Sequence, residues 1–151
     1  MLRSTLLAVM AYASVAIAGL EPDGINCDGS SNCQFISIKI DSKFGASPNN
    51  QIPALKALID GIDDNRLYNN GEKIACLTGS VIFFPGAICT FLQKTTGGVL
   101  GRDIKVLMSA LDNECGACGS ISTGFFGGDK DVNHGMLTVN AVTSTKCKGV
   151  C

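Results

Sequence analysis

The sequence predicts an α+β fold: a two-layer α/β sandwich in which a mainly antiparallel sheet of about five strands carries two helices on one face. Three observations support this prediction. Strand-like and helix-like segments follow one another in the order strand, helix, strand, strand, helix, strand. The apolar stripes of both helices match the inward faces of the strands. Eight cysteines, an even number, indicate a fold stapled by disulfides.

The first 18 residues are interpreted as a secretory signal peptide and not as part of the fold. Arg3 supplies the positive start, residues 6–17 are almost wholly apolar, and Ala16-Ile17-Ala18 is an A-x-A cleavage signal. The apolar run is too short for a membrane span. Residues 19–151 are therefore expected to form a single exported domain that does not insert into a bilayer.

The charge balance argues against nucleic acid as a partner. The chain has 12 basic and 13 acidic residues, and without Arg3 of the leader 11 basic residues remain. A mature protein with a small negative net charge has no general electrostatic attraction to nucleic acid or to anionic membranes.

Four segments have the alternating or β-branched and aromatic composition that is typical of strands. They are residues 35–40, 73–78, 87–93 and 137–142. The apolar run at residues 81–84 either extends the hairpin of the middle two strands or forms an exposed tip. Residues 120–128, around Phe125 and Phe126, are a candidate fifth strand at an edge of the sheet.

Two segments have helical spacing. The first has Pro53 in its first turn, where the missing N–H costs little. The second starts near Arg102, and Cys115 continues its apolar face. In each, the apolar residues recur at i, i+3, i+4 and i+7, which predicts packing against the sheet. These residues are Leu55, Leu58, Ile59 and Ile62 in the first helix and Ile104, Leu107, Met108 and Leu111 in the second.

All eight cysteines follow the leader and are expected to form structural disulfides. Cys115-x-x-Cys118 follows a helix and does not open one, which disfavours a redox pair. The cysteine spacing also fits zinc poorly, so no metal or cofactor is expected. Eight cysteines allow 105 pairings. The preferred pairs are Cys27 with Cys115, Cys33 with Cys118, Cys76 with Cys89, and Cys147 with Cys151.

The sequence contains no convincing catalytic set. His134 is the only histidine and lies in a polar loop, where it is interpreted as a turn residue. Asp129-x-Asp131-x-Asn133 begins like a calcium loop, but His134 and Asn140 stand where that loop needs Gly and Glu. A surface turn is therefore the preferred interpretation of this segment.

Binding is better supported than catalysis. The apolar run at residues 81–84 and the pair Phe125-Phe126 lie near chain breakers and could form contact patches, although core packing explains them as well. Loop and strand-end lysines could engage an acidic partner. They are Lys43, Lys73, Lys94 and Lys130.

Three segments carry a family resemblance. Residues 24–33 read G-I-N-C-D-G-S-S-N-C, residues 128–140 read G-D-K-D-V-N-H-G-M-L-T-V-N, and Cys115-x-x-Cys118 is followed by Gly119. In order and spacing they resemble the G-I-N-C-x-G-S-S-x-C, G-N-D-V-x-x-G-x-L-T-V-N and C-x-x-C-G motifs of the killer protein 4 family. That family comprises virally encoded killer toxins of a smut fungus and relatives in fungi and some plants.

This resemblance implies a secreted α/β sandwich that pairs Cys27 with Cys115 and Cys33 with Cys118. It also implies growth inhibition through block of voltage-gated calcium channels. We therefore expect a monomeric, non-enzymatic, killer-toxin-like effector that binds a membrane protein of a competing or host cell. The candidate contact residues are Lys73, Lys43 and Lys130. The alternatives are a structural or surface-active cysteine-rich secreted protein and a small secreted enzyme that uses His134.

The sequence departs from the family at one position of interest. The family's toxicity is linked to a lysine two positions before the cysteine of the second strand. Here Cys76 matches that cysteine, Ile74 occupies the lysine position, and Lys73 lies one step earlier. A one-residue step turns a side chain to the opposite face of a strand, so only a bulge or an alignment shift would restore Lys73.

Two further features depart from the family. The mature chain is slightly acidic, whereas the toxins are basic. Its second helix also has no cysteine that matches the cysteine of the family's second helix.

Overall fold

The structure of the protein, a computed structural model, describes residues 23–38, 50–81 and 84–151. The predicted signal peptide at residues 1–18, Lys43, and Ile82 with Phe83 lie outside these ranges. In chain order the strands are β1 (Ile25–Asn26), β2 (Ile36–Ile38), β3 (Leu67–Tyr68), β4 (Lys73–Val81), β5 (Phe84–Gln93), β6 (Val99–Leu100), β7 (Gly119–Ser122), β8 (Met136–Val142) and β9 (Gly149–Val150).

Seven of these strands form one antiparallel sheet. Its order is β1-β7-β8-β5-β4-β2, and β9 pairs with β4 outside this path. The longest pairing joins β4 to β5 from Lys73 opposite Phe91 to Val81 opposite Phe84. The run at residues 81–84 therefore extends the hairpin as far as it is described. The remaining strands, β3 and β6, form a separate two-stranded ribbon.

Two helices follow the predicted segments, and a single turn, α1 (Asn32–Phe35), precedes β2. α2 (Ile52–Ile59) has Pro53 in its first turn, as predicted. α3 (Gly101–Glu114) carries Asp103 in its first turn. A carboxylate there stabilises the helix, because it lies at the positive end of the helix dipole. All four residues of the predicted α3 stripe, Ile104, Leu107, Met108 and Leu111, are buried. In α2, Leu55 and Ile59 are buried as predicted, Leu58 is only partly buried, and Ile62 is buried beyond the end of the helix.

The main core lies between the helices and one face of the sheet. Ile74, Ile88 and Leu92 of β4 and β5 share a buried cluster with α2 and α3. The other face carries a smaller buried cluster of Cys76, Ala87 and Cys89, against which Phe91 and Val142 pack. We call this second side the helix-free face. The predicted α+β sandwich, with two helices on one face of a mainly antiparallel sheet, is confirmed.

The strand count differs from the prediction in a simple way. Five sheet strands were predicted, and β1 and β9 are additional, each two residues long. A two-residue strand shows no alternation, so its sequence gives no periodic signal. Each lies next to a disulfide, β1 before Cys27 and β9 before Cys151.

The interpretation of residues 120–128 as an edge strand is wrong in two respects. The strand β7 ends at Ser122 and pairs with both β1 and β8, so it is an interior strand. Phe125–Gly127 forms a 3-10 turn that follows it. The edge position falls to β1, because the N-terminal segment adds a strand beyond β7.

Four disulfides join the pairs that the sequence favours. Cys27 bonds to Cys115 at the end of α3, and Cys33 bonds to Cys118, across sequence separations of 88 and 85 residues. Cys76 bonds to Cys89 directly opposite it in the β4–β5 hairpin. The fourth bond links Cys147 to Cys151. The first two attach the N-terminal segment to the main core.

Candidate target-binding surface

Lys73 lies at a bulge in β4. The pairing with β5 places Lys73 opposite Phe91 and Ala75 opposite Thr90, so Ile74 is an extra residue in β4. Directly opposite residues of an antiparallel pair point to the same face. Phe91 packs with Cys76 and Cys89 on the helix-free face, and Lys73 therefore belongs to that face.

Ile74 points the other way. Its side chain is fully buried in the main core together with that of Ala75, the next residue. Two consecutive residues on one face are possible because the bulge interrupts the alternation. In a regular strand, Lys73 and Cys76 would point to opposite faces because they are three positions apart. The bulge places both side chains on the same face. This is the condition that the sequence set for Lys73 to stand in for the lysine of the resembled family.

A pocket opens next to Lys73 on this face. Its volume is about 340 Å³. Phe91 and Val142 supply apolar walls, and Lys73, Lys94, Asn70 and Gln93 supply polar groups. We call it the Lys73–Lys94 pocket. The sequence marked Lys94 as a possible contact but did not indicate the pocket, because its lining comes from three parts of the chain that are distant in sequence.

Lys130 is held by its own loop. Its ammonium donates to the carbonyl oxygen of Phe125 at 2.9 Å and lies 3.3 Å from the centroid of the Phe125 ring. Phe126 packs edge-on against Phe125 at 5.2 Å and is 63% exposed. Lys130 and Phe126 therefore form a separate exposed corner. Lys130 does not line the Lys73–Lys94 pocket.

His134 forms a carboxylate cluster with Asp129 and Asp131. Its Nδ1 lies 2.9 Å from Asp129 Oδ2, and its Nε2 lies 3.8 Å from Asp131 Oδ2. The hydrogen bond to Asp129 raises the pKa of His134. The backbone N–H of Asp131 lowers the pKa of Asp129, and His134 lowers it further.

This cluster shapes a turn. Asp129 accepts from the N–H of Asp131, and Asp131 accepts from the N–H of Asn133 at 2.8 Å. Within the described chain, both ring nitrogens of His134 face carboxylates, and no hydroxyl or thiol contacts the ring. That arrangement provides an imidazole without a nucleophile to activate. The three side chains are between 45% and 67% exposed, as expected for a surface turn.

The two longest segments that resemble the killer protein 4 family meet in space. The side chain of Asn140 accepts a hydrogen bond from the backbone N–H of Ser30 at 3.0 Å. The side chain of Asn26 accepts from the N–H of Asp28 at 2.6 Å. A small crevice between Asp28 and Ala117 is lined by the two long-range disulfides. These contacts indicate a scaffold that holds the N-terminal segment on the sheet.

Metal ligation and membrane crossing find no support in the described residues. The sulfur atoms of Cys76, Cys147 and Cys151 lie within 4.8 Å of one another, and that is the one group found there with metal-like proximity. All three are in disulfides and so offer no thiolate. None of the described helices has the length and apolar character that a bilayer crossing requires.

Comparison with known protein families gives a match. The sequence model of the Kp4 family, killer protein 4, matches residues 6–143, which is most of the chain. No curated protein matches the chain.

Proposed function

Because the chain belongs to the Kp4 family, we propose that it is a secreted killer-toxin-like effector that inhibits the growth of competing or host cells by blocking calcium channels. It acts by binding and occluding a channel in the membrane of the target cell and catalyses no reaction. It works as a monomer, because one copy carries the complete surface that the proposal uses.

The observation that carries this proposal is the place of Lys73. The bulge at Ile74 puts Lys73 on the helix-free face beside Phe91, the same face as Cys76, which supports Lys73 as the stand-in for the family's lysine. A lysine on a rigid sheet can contact a channel with little loss of conformational freedom in the protein. The 0% exposure of Ile74 supports the same assignment, since Ile74 itself cannot contact a partner.

Secretion is supported by the cysteines. Four disulfides need an oxidising compartment to form and persist. The predicted signal peptide at residues 1–18 provides the route. A mode of action without catalysis is supported by the surroundings of His134, where the described part of the chain places two carboxylates and no nucleophile.

The test measures calcium uptake and growth of fungal and plant cells in the presence of purified, fully oxidised protein. The wild-type protein should reduce both. Lys73→Gln should weaken the effect roughly tenfold, because loss of a cation that acts as a hot spot at the centre of an interface costs about 1–2 kcal/mol of binding free energy. Arg102→Gln is the matched control: it removes the same charge from α3, in the helix layer, where Arg102 is 59% exposed.

The proposal fails if the oxidised protein leaves calcium uptake and growth unchanged in every cell type. It also fails in its assignment of the surface if Arg102→Gln and Lys73→Gln lose activity equally, because a general charge effect would then explain both.

A further inference from the structure

The Lys73–Lys94 pocket combines two positive side chains with an apolar wall. Lys73 is half-buried at the bulge, and Lys94 is exposed at the end of β5. Phe91 and Val142 line the space between the strands, and the amides of Asn70 and Gln93 add neutral polar groups. No acidic side chain belongs to the described lining.

The positive charge of the pocket is not compensated by the described residues around it. The ammonium of Lys73 makes no hydrogen bond or ion pair with them. The ammonium of Lys94 donates to Asn133 Oδ1 at 2.6 Å, and that acceptor is neutral. Glu72 is next to Lys73 in sequence, but its carboxylate accepts from Arg66 at 2.7 Å and from the N–H of Asn69 at 2.9 Å.

Two hydrogen bonds fix the walls of the pocket. The N–H of Gly71 donates to the carbonyl of Leu92 at 2.7 Å, and Asn70 Oδ1 accepts from the N–H of Thr95 at 3.1 Å. These two bonds tie the turn before β4 to the end of β5. A site with fixed walls loses less conformational entropy on binding than a mobile one.

The backbone of Lys94 has an unusual conformation. Among the described residues it is the one residue other than glycine with a positive φ, at 58°. This left-handed conformation is unfavourable for a lysine and persists only where the surrounding structure enforces it. Here it turns the chain sharply at the end of β5, and the lysine at that turn lines the pocket that Lys73 also lines.

The geometry points to a binding site for acidic protein segments, in which carboxylate side chains contact Lys73 and Lys94 and a neighbouring apolar side chain packs on Phe91 and Val142. The volume of about 340 Å³ is large enough for several side-chain groups. This inference deepens the proposed function and rests on it for one point only: the segment belongs to an extracellular loop of the target channel.

The test is a titration followed by the backbone amide signals of the isotope-labelled, oxidised protein. The probes are a blocked Glu-Leu-Glu tripeptide, the matching Gln-Leu-Gln tripeptide and inorganic phosphate. The acidic tripeptide should shift the amides of Lys73, Phe91 and Lys94 in a saturable way, and added salt should weaken its binding because exposed charges are screened.

Three outcomes overturn the inference. Equal binding of the Gln-Leu-Gln peptide would show that the charges are not used. Equal or tighter binding of inorganic phosphate would show a simple anion site that makes no use of the apolar wall. Shifts confined to amides outside the pocket would place the peptide elsewhere and count against the inference in the same way.

Variants assign the effect to the two lysines. Lys73→Gln and Lys94→Asn should each weaken binding of the acidic peptide roughly three- to tenfold, the range expected for a partly solvated ion pair. Asn is chosen at position 94 because it tolerates a positive φ. Arg102→Gln should leave binding unchanged. An equal loss in this control, or no loss in either lysine variant, contradicts the assignment.

The two proposals can fail separately. Peptide binding at the pocket without an effect on calcium uptake would keep the acidic-segment site and reject the channel as its partner. Inhibition of calcium uptake by a protein that binds none of the peptides would keep the channel and reject the site.

Discussion

Gly29 packs directly against Cys118, next to the disulfide that ties the N-terminal segment to the chain beyond α3. A Cβ built on Gly29 would overlap the Cβ of Cys118 and would stand 2.9 Å from the sulfur of Cys33. Neither neighbour can move aside freely, because both belong to the Cys33–Cys118 bond. The position therefore requires a residue without a side chain.

We expect Gly29→Ala to lower the free energy of unfolding by about 1–3 kcal/mol, the usual cost of overpacking a tight site. The measurement is denaturation of the oxidised protein by guanidinium chloride. Gly97→Ala is the control, because a Cβ at Gly97 meets no atom within 4 Å; its effect should stay within about 0.5 kcal/mol. Equal stability of the two variants would contradict the packing argument.

Thr90 offers a stabilising substitution. Its side chain is fully buried in β5, and its hydroxyl oxygen has no hydrogen-bond partner among the described residues. Thr90→Val should raise the free energy of unfolding by about 1 kcal/mol, since the valine fills the same space without an unsatisfied polar group. Thermal unfolding at fixed pH measures it.

The matched control for this change is Thr138→Val. Thr138 is also buried, but its hydroxyl donates to Gln93 Oε1 at 2.9 Å. This substitution should lower the stability by about 1 kcal/mol, because it removes a made hydrogen bond. If both valine variants shift stability in the same direction, the unsatisfied hydroxyl is not the cause.

The pair of His134 and Asp129 predicts a pH dependence in the turn before β8. The pKa of His134 is raised above 6.5, so its contribution to stability is present below 6.5 and is lost as the pH rises through the folded-state pKa. The pKa of Asp129 is lowered below 3.8, so its contribution is present above 3.8 and is lost as the pH falls through the folded value.

Titration of the His134 ring signals by NMR checks this relationship. The pKa of His134 should lie above 6.5 in the wild type and should fall in Asp129→Asn, because the hydrogen bond to Asp129 is its largest cause. A His134 pKa that is unchanged in Asp129→Asn would show that the two side chains do not interact in solution.

The disulfides should differ in their effect on stability according to the loops that they close. Replacing Cys33 and Cys118 by alanine leaves the Cys27–Cys115 bond in place, so the loop that opens runs only from Cys27 to Cys33 and from Cys115 to Cys118. The change should cost about 3 kcal/mol in the chain-entropy model. Replacing Cys147 and Cys151 opens a separation of 4 residues and should cost about 2 kcal/mol. Denaturant titration of both variants tests the order, and the reverse order would reject it.

Most of the fold could be predicted because its signals are local. The helix stripes at Leu55–Ile59 and Ile104–Leu111 and the alternation at residues 137–142 depend on the 3.6- and 2-residue periods of the chain. The short strands β1 and β9 escaped prediction, because two residues form a strand only when a neighbouring strand supplies the hydrogen bonds.

The candidate site was predicted only in part, and Lys73 shows why. The sequence identified it as a contact lysine and stated that a bulge would be needed to turn it to the face of Cys76. A bulge is a property of two paired strands, so it cannot be read from one strand alone. The same holds for the pocket, whose walls Asn70, Phe91 and Val142 come from three parts of the chain.

By itself the sequence determined the family, the two helices, the main strands and the set of cysteines, because periodicity, turn residues and motif spacing are properties of consecutive residues. Only the tertiary structure decided which face Lys73 occupies, that Lys94 lines the same pocket, and that His134 lies against Asp129. The physical reason is the register between β4 and β5. The extra residue Ile74 turns the side chain of Lys73 to the opposite face, and the pairing of Lys73 with Phe91 fixes the bulge at Ile74.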